Sequence, residues 1–115
     1  MSNRKYRNLV FFKDYFQSFF EQLPPKVKTK IIWTLQMIED LPRVPESYLK
    51  HMEGTSGIYE IRVQSGSNIY RIFCFFDKGS LVVISNGFQK KTQKTPKHML
   101  ALAIKIKAEY ESEEK

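Results

Sequence analysis

Arg62 and Arg71 are the side chains of this sequence best suited to hold a phosphate, and the residues between them set them side by side. If Gly66-Ser67 forms a two-residue hairpin loop, glycine first suits a II′ turn. Ile61 then faces Ile72, Val63 faces Tyr70, Tyr59 faces Cys74, and Arg62 stands directly across from Arg71. Two like charges in that register cost up to ~1 kcal/mol relative to a neutral pair. A planar guanidinium fork matches the oxygens of a phosphate, so an anionic ligand is a physical reason to keep them together. Their surroundings agree. From Ile61 to Ala108 there are nine basic residues and one acid, Asp77, a formal charge of +8 in a chain whose total is +7. A localised positive field attracts polyphosphate, which makes nucleic acid the leading partner.

Extending the same register through a Lys78-Gly79 loop places Asn86 beside Arg71, with Phe73, Phe75, Val82 and Ile84 further along that face. Phe88, Lys90 and Lys91 leave from the resulting polar corner. Glu60 shares a face with Arg62 and is expected to orient it. The plainer alternative is that each arginine reaches solvent or simply pairs with Glu60, and a one-residue slip would separate the two.

The elements that must position this corner can be read from pattern. Asn8 to Phe12 suits a short strand. Lys13 to Leu23 has Tyr15, Phe16, Phe19, Phe20 and Leu23 at helical spacing. Pro24-Pro25 ends that helix, and Pro25 starts another that runs to about Leu41, with Val27, Ile31, Leu35 and Ile38 as its apolar stripe. Lys26, Lys28 and Lys30 near its start are read as a solvated face. After a Pro42–Gly57 connection come three strands: Ile58 to Val63, Ile69 to Phe76, and Ser80 to Phe88. Thr95-Pro96 suits an N-cap and first turn for a last helix from Lys97 to about Tyr110. The expected fold is a single α+β domain over residues 1–115, in the order β-α-α-β-β-β-α, with a mainly antiparallel sheet packed by helices.

A chain of 115 residues, 42% hydrophobic and with sixteen aromatics, suits one modest core rather than a disordered basic tail. The lone Cys74 cannot form an internal disulfide and fits a reducing cytoplasm. The charged start, Met1 to Arg7, leads into no apolar run of the signal-peptide kind, and no segment reaches the ~20 apolar residues of a membrane span. Two histidines and one cysteine, far apart, have no metal-ligand spacing. The expectation is a soluble cytoplasmic protein with no cofactor and no membrane partner.

Four stretches carry a resemblance: Leu49-Lys50-His51-Met52-Glu53-Gly54, Ile58-Tyr59-Glu60-Ile61-Arg62-Val63, Tyr70-Arg71-Ile72-Phe73, and Asn86-Gly87-Phe88-Gln89-Lys90-Lys91-Thr92 followed by Thr95-Pro96. In this order, over residues 8 to 110, they resemble the RelE superfamily of bacterial toxins from type II toxin–antitoxin systems, and its HigB-like branch most. The resemblance implies a ribosome-dependent mRNA endonuclease that inhibits translation, neutralised by a cognate antitoxin, a small helix-turn-helix protein. By position, Arg62 matches a basic residue of the second strand, and Arg71 matches the arginine of the Tyr-Arg pair on the third. The family's next basic residue falls at or near Gln89, where this chain is uncharged and Lys90 and Lys91 follow. Glu60 stands where some relatives have lysine, and histidine can serve in the HigB-like branch, which brings in His51.

Metal-independent cleavage of RNA needs a 2′-hydroxyl nucleophile, a group to take its proton, donors for the phosphorane and an acid for the leaving oxygen. Arg62 and Arg71 suit the donors, and arginine is a poor base because it stays protonated. Like-charge repulsion in a basic cluster favours a neutral amine, so Lys90 and Lys91 are the candidate bases, with His51 as a further proton shuttle. Phe88 is a candidate for stacking on a base, equally suited to filling the sheet. Asn86 and Glu60 complete the binding set, and Lys94 and Lys97 would steer phosphate. His98 is read as surface. Two other classes compete. One is a non-catalytic inhibitor on the same scaffold, like the ParE-type toxins that act on gyrase, and the other is a basic nucleic-acid-binding module with no activity.

Overall fold

The computed structural model describes residues 5–114. Met1 to Arg4, part of the charged start considered above, lie outside the described residues. The expected α+β fold is the observed one. In chain order the elements are β1 (Asn8–Phe11), α1 (Tyr15–Phe20), α2 (Pro25–Asp40), β2 (Leu49–His51), β3 (Ile58–Ser65), β4 (Asn68–Asp77), β5 (Leu81–Lys90) and α3 (Lys97–Glu113). The strands make one sheet in the order β1-β5-β4-β3-β2. All neighbours are antiparallel except β1, which runs parallel to β5. β2 is an additional strand inside the expected connection. Its three residues, Leu49-Lys50-His51, are too few to show an alternation.

Helices cover both faces. On one, α1 and α2 deliver Phe16, Val27, Ile31, Leu35 and Ile38 onto Ile61, Val63, Ile72, Cys74, Val82 and Ile84. On the other, Ala103 and Tyr110 of α3 pack on Ile58, Phe73, Phe75, Val83 and Phe88. This is why β4 reads as an unbroken apolar run, Ile72-Phe73-Cys74-Phe75, rather than an alternating one: both its faces are buried. α1 sits so close to β5 that a Cβ on Gly87 would lie 2.6 Å from the ring of Phe19. At the C-terminus of α2, Arg7 donates from Nη1 to the carbonyls of Ile38 and Leu41 (3.0 and 2.8 Å) and from Nη2 to Pro42 (3.2 Å). A cation there satisfies carbonyls the helix leaves open and suits its dipole.

The first hairpin has the expected register. Ser65 pairs with Asn68 across Gly66-Ser67, Gly66 takes a φ of +61°, and Arg62 pairs with Arg71. The second hairpin corrects the expectation at two points. Asp77 pairs with Leu81, so the loop is Lys78-Gly79-Ser80, one residue longer than anticipated, with Lys78 and Gly79 both at positive φ. That single step turns Val82 and Ile84 to the α2 face and puts Val83 with Phe73 and Phe75. A β-bulge opposite Ile72–Cys74 then adds a second step. Two steps restore the original facing but move the partner: Phe88, not Asn86, lies beside Arg71.

Candidate nucleic-acid interface

The polar corner is built on the α3 face of β3 and β4. Glu60, Arg62 and Arg71 share that face by strand alternation. The Glu60 carboxylate is buried between the two guanidinium groups, its Oε1 3.4 Å from Nε of Arg62 and 3.4 Å from Nε of Arg71. Both contacts are at ion-pair distance, yet neither Nε–H makes a directed hydrogen bond. The carboxylate therefore offsets the repulsion of the facing arginines by charge more than by hydrogen bonding, and the three groups together keep a net charge of +1. Its other oxygen, Oε2, accepts a hydrogen bond of 3.4 Å from the Thr95 hydroxyl. Thr95 thus ties the segment before α3 to the arginines instead of capping the helix, whose N-cap is Pro96 with no side-chain bond.

The two arginines differ in setting. Arg71 is buried and donates from Nη1 to its neighbour's carbonyl, Tyr70 O, at 3.1 Å. Burial lowers its pKa, nearby Glu60 raises it and Arg62 lowers it, for a net fall from an ordinary value so high that the group stays charged. Arg62 leaves a third of its side chain in solvent. Both open into a groove of about 380 Å³ that wraps the free edge of β3 and is also lined by Lys30, Ser47, Tyr48 and Gln64.

The remaining candidates divide into those near the corner and those away from it. Lys90 pairs with Ile69 at the end of β5, two residues beyond Phe88 and on the arginine face. Lys91 is exposed just past the strand, and the two lysines line a neighbouring depression of about 500 Å³ with Asn68, Ile69 and Gln89. Lys94 and Lys97 are exposed on the approach to α3. Asn86 is buried and occupied: its Nδ2 donates to Met99 O (3.1 Å) while its Oδ1 accepts from Ser85 Oγ (3.0 Å), fixing α3 to the bulge. Phe88 is buried against Phe73, ring centroids 5.6 Å apart, so its ring fills the sheet's second core. His51 pairs with Tyr59 and meets its ring edge-on at 5.2 Å. Tyr59 belongs to the α2 face, which puts His51 across the sheet from the arginines.

Two lysines that pattern reasoning passed over belong here. Lys30 lines the arginine groove from α2. Lys50 on β2 pairs with Glu60, on the arginine face and exposed. Lys30 was legible only as one of three lysines on a solvated turn, and Lys50 needed the unforeseen strand β2.

A family model described as phage-derived protein Gp49-like (DUF891) matches residues 18–108, which spans the end of α1, all of α2, the corner and most of α3. This chain belongs to the Gp49-like family. A chain of the crystal structure of the archaeal RelE–RelB complex from Pyrococcus horikoshii OT3 superposes with a TM-score of 0.55 at 17% identity, covering 78% of this chain and 99% of that one. The Gp49-like chain therefore has the RelE toxin fold. A search of the curated proteins finds no significant sequence match. Among the described residues, no helix is long and apolar enough to cross a membrane.

Proposed function

We propose that this Gp49-like protein is the toxin of a type II toxin–antitoxin pair, a HigB-like member of the RelE superfamily that cleaves ribosome-bound mRNA without a metal. The observation that carries the reading is the Arg62–Arg71 cross-strand pair opening into a basic groove. The RelE-like fold and the likeness to a chain of the archaeal RelE–RelB complex support a protein antitoxin as partner, and a small helix-turn-helix protein is the form proposed. The ribosome and its mRNA supply the substrate, in the cytoplasm.

In this mechanism the substrate's 2′-oxygen attacks the adjacent phosphorus, the bond from phosphorus to the 5′-oxygen breaks, and the departing 5′-oxygen takes a proton from water, leaving a 2′,3′-cyclic phosphate and a 5′-hydroxyl. Arg62 and Arg71 donate to the phosphorane oxygens, where charge builds. Glu60 lies against the Nε side of both guanidinium groups, and with Arg71 Nη1 donating to Tyr70 O, the terminal nitrogens of Arg62 and Nη2 of Arg71 are the donors offered to phosphate. Lys90, on the arginine face, takes the 2′-hydroxyl proton. Lys91, Lys94 and Lys97 hold flanking phosphates. His51, on the opposite face of the sheet, takes no part in this step.

Induced expression without antitoxin should arrest growth, and primer extension on a reporter message should reveal new 5′ ends that vanish when initiation is blocked. Arg71→Ala should lower cleavage about 10²–10³-fold with the fold retained, as for loss of one transition-state donor. Lys90→Ala should lower single-turnover cleavage by ~10²–10⁴ at unchanged affinity. Lys94→Ala and Lys97→Ala should instead weaken binding and reduce its salt slope by roughly 0.7 each. Arrest with intact mRNA and inhibited gyrase would move the protein to the ParE-type reading. Tight RNA binding with no cleavage would leave a binding module.

A further inference from the structure

The arginine groove has an aromatic neighbour that the mechanism does not use. Trp33 lies on the outer side of α2 with 49% of its surface exposed. It is held from two sides: Lys30 Nζ sits over its ring, 5.6 Å from the centroid, and Tyr48 meets it edge-on at 6.1 Å. Those two residues also line the groove that contains Arg62 and Arg71. The link to the arginines is short, since the Tyr48 carbonyl accepts the Arg62 backbone N–H at 2.9 Å.

We propose that Trp33, braced by Lys30 and Tyr48, is a stacking platform for a nucleobase of single-stranded RNA whose phosphate lies on Arg62 and Arg71. The inference rests on the nuclease reading above and names how that groove takes its substrate. Single strands splay their bases, and proteins that bind them set aromatic faces beside a positive track for the backbone. Both halves are present: an indole that is exposed yet orientationally fixed, and three cations, Lys30, Arg62 and Arg71, along the adjoining groove. Lys30 belongs to both, its Nζ over the indole and its side chain among those lining the groove. A ring already held by its neighbours loses little freedom when a base stacks on it. Stacking tolerates any base, so the subsite would position substrate without dictating sequence.

Trp33 is the chain's sole tryptophan, so intrinsic fluorescence reads this site alone. The probe is a short single-stranded RNA carrying 2′-O-methyl groups, which cannot be cleaved, with an end label whose anisotropy reports binding independently. It should bind the intact protein and quench Trp33, whereas an abasic strand of equal length should bind through its phosphates without quenching. Trp33→Ala should weaken the base-bearing strand about 5- to 150-fold and leave the abasic strand unaffected, while Trp33→Phe keeps most of the affinity. With cleavable message on ribosomes, Trp33→Ala should raise KM more than it lowers kcat. Equal quenching by both strands, or unchanged RNA affinity in Trp33→Ala, overturns the platform. In that case cleavage lost in Arg71→Ala would leave the nuclease reading standing. Failure of both strands to bind overturns the platform, while the nuclease reading is decided separately by the cleavage of ribosome-bound message. Protection of Trp33 by a protein partner but not by RNA would overturn the platform and assign this patch to a protein interface.

Discussion

Replacing Glu60 with glutamine keeps the side chain's shape and removes the negative charge between two facing arginines. Each Oε1–Nε contact, at 3.4 Å, corresponds to an attraction of about 5 kcal/mol in an effective dielectric of ~20. Most of that offsets the desolvation of the groups, and Arg62 remains a third exposed, which weakens its share. Breaking a buried pair by removing one partner costs about 3–5 kcal/mol, and the lower end suits this half-open site. A loss of about 3 kcal/mol at roughly 4 °C per kcal/mol for a chain of this size lowers Tm by about 12 °C. Thermal and urea melts at neutral pH would measure it. Because Glu60 and Arg71 are buried, salt should change the difference little. Adding Arg71→Ala to Glu60→Gln should restore part of the loss, because the unbalanced repulsion disappears with one guanidinium. A Glu60→Gln protein melting within ~2 °C of the parent, or a double-mutant cycle with no coupling, would refute the idea that this carboxylate holds the arginines together.

Tyr110→Phe should cost about 1.5 kcal/mol by removing the 2.8 Å hydrogen bond to Asp77. That bond, with burial, pushes the Tyr110 phenol up to about 12. The folded protein therefore holds this proton more tightly than the unfolded chain does. Its stabilisation is complete below about pH 10, the ordinary tyrosine value, and is lost as pH rises through about 12, a slope that urea titrations should show in the parent and not in Tyr110→Phe. Gly87→Ala should destabilise by about 1–3 kcal/mol, because the new methyl meets the Phe19 ring at 2.6 Å and α1 must shift. Chemical denaturation would detect it, and a neutral result would mean α1 moves freely on β5.

The parts of the fold legible in the sequence were those governed by local chemistry. Gly66 at the head of a two-residue loop dictated the first hairpin, and with it the Arg62–Arg71 pair. Pro25 opened α2 as expected. What escaped was decided at longer range. The bulge in β5 answers to Asn86 reaching Met99 on α3, a contact thirteen residues away that no strand pattern encodes. Thr95 has the ordinary look of a helix cap, but Glu60 claims its hydroxyl. His51 and the arginines are neighbours only if the sheet is ignored, because β2 turns its histidine to the opposite face. Lys30 and Trp33 sit on a helix whose polar side looks unremarkable until the free edge of β3 is placed beside it.

The parallel pairing of β1 with β5 also orders events in time. Asn8 through Phe11 find their partners only in Leu81 through Ile84. Closing so long a stretch of chain is slow compared with zipping a hairpin, since its entropy must be spent before any contact is gained. During N-to-C synthesis, β1 and the helices α1 and α2 leave the ribosome with no completed sheet to cover. The β3–β4 hairpin, a local pairing, can bring Arg62 and Arg71 together earlier, but the supports at Phe88 and Thr95 arrive with later residues. The first strand to be made is the one whose partner comes last, and until that partner emerges the chain carries its facing arginines on an unfinished frame.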